Sequence, residues 1–146
     1  FKQINDTLGH NTGDRVLCVA AGRLERAVQP PQPGQEPADD ALVASLGPAL
    51  ELHPFFPKRT NVEFVTVVSP SEIRVRFWER GVGYTMASGT GSASAAVASI
   101  VTGRTGRTVR AVCDGGTLEI EWPEGGSVRQ TAEAEVLYEG DWLASW

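Results

Sequence analysis

The sequence predicts an α+β fold: a curved antiparallel sheet wrapped around a central helix, with an amphipathic helix ahead of it at the N-terminus. Three observations lead there. Between residues 61 and 142, five or six short segments alternate apolar with polar side chains, with turn residues between them. Among them stands one helical pattern, "SGTGSASAAVASIV" (88–101), whose apolar positions are mostly alanine. Upstream of all of these, residues 29–40 hold four prolines, one glycine and three acids, a composition that builds neither a helix interior nor a sheet.

Taken in order, "GDRVLCVAAGRLERAV" (13–28) places Val16, Leu17, Ala20, Leu24 and Ala27 at helical spacing, with Arg15, Arg23, Glu25 and Arg26 opposite. An amphipathic helix is expected there, and residues 29–40 read as a linker. "DALVASLGPALELHPFF" then suggests a short helix stopped near Gly47-Pro48. "NVEFVTVV" (61–68) and "EIRVRFW" (72–78), separated by "SPS", form a hairpin. After the central helix, "RTVRAVC" (107–113) and "TLEIEW" (117–122) flank "DGG", and "SVRQTAEAEVLYEGDW" offers one or two further strands. The helix is expected to bury Ala93, Ala96, Val97, Ile100 and Val101, since alanine lets a sheet approach closely. Three segments follow: residues 1–28, a linker over 29–40, and a lobe over 41–146.

Composition narrows the partners. A chain of 146 residues with 41% hydrophobic content suffices for one core. A net charge of −5 with scattered Lys and Arg argues against nucleic acid. The chain lacks an apolar run near 18 residues and a signal-peptide pattern, so no membrane partner is expected. Cys18 and Cys113 match no metal spacing or disulfide framework and read as reduced thiols in a cytoplasmic protein. Neither a metal site nor a cofactor is expected.

Gly89, Thr90 and Gly91 at the start of the central helix leave backbone donors exposed, where the helix dipole adds partial positive charge. A small carboxylate or phosphate fits there. Ser88 or Thr90 equally serves as an ordinary N-cap. Just upstream, "WERGVGY" delivers Glu79 and Arg80 from the end of a strand through two glycines toward the same helix mouth.

The stretches "LGPALELHPFFPKRTNVEFV", "VRFWERGVGYTMASGTGSASAAVA", "GGTLEIEW" and "AEVLYEG" resemble, in that order, the C-terminal half of diaminopimelate epimerase, over residues 41 to about 140. The resemblance implies a sheet curled around a central helix. It also implies a cofactor-independent inversion of an α-carbon by two cysteines, one per half, that face each other across that carbon. Carried over residue by residue, Asn61 and the Glu79-Arg80 pair match positions that hold the substrate's polar groups, and Gly89 with Thr90 match the entrance that binds the α-carboxylate. There are two departures. Ser88 stands where the family has its C-terminal catalytic cysteine, and Tyr84 replaces the acid usual in "GxGET". A serine hydroxyl is a far weaker acid than a thiol, so Ser88 is expected to be nearly inert as a base. The family's N-terminal half, with the other cysteine, is expected to be absent.

Residues 1–28, "FKQINDTLGHNTGDRVL" and onward, resemble the start of a GGDEF domain, the diguanylate cyclase module. Asn5 and Asp14 match positions that hold guanine in such cyclases, whereas the metal-binding aspartate and the GGDEF hairpin are missing, so cyclase activity is not expected. The chain reads as a fusion or chimera of two family fragments. The expected function is an epimerase-derived lobe that keeps a small-carboxylate site without epimerase activity. One alternative is a hydrolase of activated phosphate or carboxylic esters, in which the helix entrance, Asn61, Arg80 and hydroxyls such as Ser88, Thr90 or Tyr84 stabilise an oxyanion or phosphoryl group, with Glu79 as base and Cys18 as nucleophile. A second is a true cofactor-independent amino-acid epimerase. Uncovered sheet edge favours pairing of two copies as a homodimer.

Overall fold

The structure is a computed structural model that describes residues 38–141. The helix expected over 13–28, and Cys18 within it, lie outside the described residues.

The first element is α1 (Asp40–Glu51), opened by Asp39, whose Oδ1 accepts the Leu42 N–H at 2.7 Å. Contrary to expectation, the helix runs through Gly47-Pro48 rather than stopping there. Val43, Gly47 and Glu51 recur every four residues and are all buried, and this docked stripe outweighs the one helical hydrogen bond that Pro48 cannot donate. Gly47 is obligatory for the docking, since a Cβ there would lie 2.5 Å from the Trp78 indole.

Six strands follow: β1 (Val62–Ser69), β2 (Glu72–Glu79), β3 (Gly83–Thr85), β4 (Thr108–Cys113), β5 (Gly116–Glu121) and β6 (Arg129–Ala132). Between β3 and β4 comes α2 (Gly89–Val101). The sheet order is β1-β2-β4-β5-β6, and β3 also pairs with β2. Since β1 takes one edge of β2, β3 and β4 share the other. Four of the five pairings are antiparallel, as the alternating segments suggested. The exception is β2 with β4, which is parallel with Ile73 opposite Ala111, because α2 carries the chain back over the sheet before β4 begins. The tail expected to hold one or two strands contributes β6 alone within the described residues.

Helix α2 packs on β1, β2, β4 and β5, and α1 on β1, β2 and β3. Alternation along β2 assigns the two layers to opposite faces. Ile73, Val75 and Phe77 are buried in the core with Ala95 and Ala96 of α2. Trp78, one residue on, meets Gly47 of α1. Both ends of the sheet curl to the same place: a Cβ on Gly89 would lie 2.9 Å from the Gln130 amide of β6, and one on Gly91 would lie 3.1 Å from Glu63 Oε1 of β1. The sheet therefore wraps the N-terminus of α2.

The buried side of α2 differs from the expected stripe. Ala96 and Val97 are buried as anticipated, but Ala93 and Ile100 are half-buried and Val101 is exposed, while Ser92, Ala95 and Ser99 face inward. Buried serine is tolerated here because its hydroxyl finds a partner. Ser99 Oγ donates to Ala95 O at 2.8 Å, and Ser92 Oγ lies 3.5 Å from Cys113 Sγ. The helix thus turns its narrowest side to the sheet.

Candidate functional site

At the entrance of α2, Ser88 has extended backbone (φ −148°, ψ 118°), and its Oγ accepts the Gly91 N–H at 3.3 Å. Its carbonyl takes the Ser92 N–H at 2.9 Å. Ser88 is an N-cap, as foreseen. The N–H groups of Gly89 and Thr90 have no acceptor inside a helix and point out of its positive end. No acidic side chain occupies the first turn.

Residues 61, 63, 65 and 67 of the first hairpin share a face with 73, 75, 77 and 79, since Glu63 pairs with Phe77 and Val65 with Val75. That face carries α2, so Glu63 and Glu79 lie on the layer of the helix entrance. Burial first, and the neighbouring Glu79 charge second, push the Glu63 carboxyl up to about 7. Among the described residues neither carboxylate enters a salt bridge. Thr85, opposite Phe77, has a buried Oγ1 with no hydrogen-bond partner among the described residues.

Asn61 and Arg80 meet each other. The Arg80 backbone N–H donates to Asn61 Oδ1 at 2.9 Å, and its guanidinium donates to Lys58 O at 3.0 Å. The pair fixes the end of the first hairpin, and the Arg80 side chain is tied to the loop before β1 rather than to the helix mouth. Tyr84 is not brought to the entrance. Opposite Trp78 in register, it belongs to the α1 face, where its hydroxyl donates to Asp114 Oδ2 at 2.7 Å and its ring lies 5.3 Å from the Arg76 guanidinium carbon. A cavity of about 680 Å³ opens on that face beside Arg76, Tyr84 and Asp114. Its central guanidinium is taken up by Asp40, Asp114 and Ala38 O, so the entrance of α2 is the better candidate.

Glu63 and Gln130 escape a motif search. For Glu63 a signal existed: in "NVEFVTVV" it occupies the inward register of Val65 and Val67, where a carboxylate is out of place. Gln130 had none, because only the curl of the sheet brings it to Gly89. His53 is structural, with Nδ1 accepting the Phe55 N–H at 3.3 Å and its ring stacked on Phe55.

A family model described as diaminopimelate epimerase matches residues 35–137. The chain belongs to the diaminopimelate epimerase family. A second model, diguanylate cyclase GGDEF domain, matches residues 1–43. Similar proteins include diaminopimelate epimerases of Desulforudis audaxviator (54% identity, 72% of this chain, 38% of the relative), Parabacteroides distasonis (52%, 70% and 38%) and Leptospira biflexa (51%, 71% and 37%). The chain thus spans under two fifths of the length of these curated relatives. Among the described residues no helix is long and apolar enough to cross a membrane, and no three His, Cys, Asp or Glu side chains group as a metal site.

Proposed function

We propose that the lobe holds the carboxylate of a small amino acid at the entrance of α2 and does not itself exchange the α-proton. The observation that carries this reading is a juxtaposition: the first turn of α2, with its N–H donors at Gly89 and Thr90, lies against Glu63, a Cβ on Gly91 falling 3.1 Å from Glu63 Oε1, and Glu79 is the charge beside Glu63. A simple dianion gains from the helix end and is repelled by the carboxylates, whereas a group with carboxylate and ammonium a few bonds apart satisfies both. The ligand class is therefore zwitterionic rather than merely anionic. Proton exchange at an α-carbon asks for a base as good as a thiolate, and Ser88 supplies a hydroxyl bonded to Gly91 N–H. Among the described residues no imidazole or carboxylate hydrogen-bonds Ser88 Oγ, which supports binding over the esterase alternative.

The test is α-hydrogen exchange of diaminopimelate into deuterated water by the 146-residue chain, paired with thermal shifts. No exchange above a protein-free control is expected, together with a saturable rise in Tm with diaminopimelate that its amide lacks. Exchange above that control would overturn the catalytic half, whether or not it survives Ser88→Ala, and equal shifts from acid and amide would overturn the binding half.

A further inference from the structure

On the β3/β4 edge of β2 the two neighbours approach from opposite ends. Residues Glu72–Arg74 pair with Arg110–Val112 of β4, and Phe77–Glu79 pair with Gly83–Thr85 of β3. Between them Arg76 is left at a fork. Continuing the two registers brings Asp114 and Met86 to either side of it. One oxygen, Asp114 Oδ2, accepts both Arg76 Nε at 2.9 Å and the Tyr84 hydroxyl at 2.7 Å, and the next residue, Gly115, donates its N–H to Met86 O at 2.7 Å. Gly115 also fits closely, since a Cβ there would lie 3.1 Å from Met86 Cβ and 3.2 Å from Ala87 Cβ. Met86 and Ala87 lead directly into the Ser88 cap.

We propose that the Tyr84–Asp114–Gly115 clasp is the positioning device of the α2 entrance, setting from the opposite face of the sheet where the Gly89 and Thr90 donors point. Tyr84 and Asp114 are positioning residues and do not touch the ligand. The phenol takes the place of the acid usual at this position of the family motif: its ring lies against Arg76 and its hydroxyl reaches Asp114, so one side chain joins β3 to the β4–β5 turn. The rigidity of the turn then passes along a single backbone hydrogen bond to the segment before the cap. Ligand-binding groups held by such supports keep their geometry only while the support is intact.

This inference rests on the proposed ligand site but is tested separately from it. In amide spectra of the full 146-residue chain, Tyr84→Phe and Asp114→Asn should each shift the Gly115 and Ser88–Gly91 resonances and speed Gly115 exchange by about tenfold, leaving Val109 and Ile120 in place. Tyr84→Glu, which sets an acceptor-only carboxylate against Asp114 Oδ2, should disturb the entrance resonances at least as much as Tyr84→Phe. Unmoved Ser88–Gly91 resonances in both Tyr84→Phe and Asp114→Asn would overturn the inference, as would an Asp114→Asn effect with none from the milder Tyr84→Phe. With diaminopimelate as probe, Tyr84→Phe should raise Kd by roughly tenfold at nearly unchanged Tm. Shifted entrance resonances in a chain that never binds diaminopimelate would defeat the ligand site and leave the clasp standing.

Discussion

On the α1 face of the sheet, Arg76 is bonded to Asp40 and Asp114, and Glu51 accepts Trp78 Nε1–H at 2.8 Å and Gly81 N–H at 3.1 Å with Arg59 beside it. On the α2 face, Glu63 and Glu79 have no cation among the described residues. The titration of the two faces follows. The hydrogen bond from Trp78, foremost, holds Glu51 below the usual carboxyl range, while burial and Glu79 lift Glu63 to about 7. The α1 face uses charge to join helix to sheet. The α2 face is joined by apolar packing and tolerates two uncompensated carboxylates at one end, where an incoming cation would be rewarded.

The comparison breaks most visibly when packing is removed. Phe77 is buried on the α2 face, and Phe77→Ala should cost about 3–5 kcal/mol in denaturant unfolding through lost contacts and a residual cavity. On the other face, Gly47→Ala should cost about 1–3 kcal/mol by forcing the Trp78 indole away from α1, despite alanine's better helix propensity. A neutral or stabilising Gly47→Ala would mean that α1 adjusts freely on the sheet.

Charge should sharpen the contrast through opposite responses to pH. A raised carboxyl such as Glu63 favours the fold below its unfolded value of 4.5, and that advantage is lost as pH rises to about 7. Glu63→Gln should therefore stabilise the protein by on the order of 2 kcal/mol above pH 7 and make no difference near pH 4. Glu51 has the reverse sign: its depressed value gives stability above the ordinary carboxyl range that acid removes. Glu51→Gln should destabilise at neutral pH. Tm measured from pH 4 to 8 on both variants checks the pair, and parallel curves would erase the distinction between the faces.

How much of this was legible without coordinates depends on what each feature obeys. The long alternating strands and the α2 cap follow local rules, so "EIRVRFW" and "SGTG" announced β2 and the helix entrance. The course of α1 through Pro48 did not, because the Val43–Gly47–Glu51 stripe pays off only against Trp78, 27 residues beyond Glu51. Short β3 looked like a glycine loop, since three residues carry too little pattern to read. Tyr84 was assigned to the site by its motif neighbours, whereas pairing with Trp78 turned it to the other face. Motif proximity locates backbone; register decides where side chains go.

The smallest expected effect separates a cap from a binding site at one residue. Ser88→Ala removes the acceptor of the Gly91 N–H and should cost about 1 kcal/mol, while leaving the Gly89 and Thr90 donors for a ligand carboxylate. Ser88→Asp should do the opposite. Aspartate caps about as well as serine, so stability should hold, but its carboxylate would sit where the ligand's own is placed and would add negative charge near Glu63 and Glu79. The diaminopimelate-induced rise in Tm should then survive Ser88→Ala and vanish in Ser88→Asp. If both variants lose it, the hydroxyl itself binds the ligand; if both keep it, the ligand lies away from the end of α2, and the unpaired carboxylates of the α2 face need another explanation.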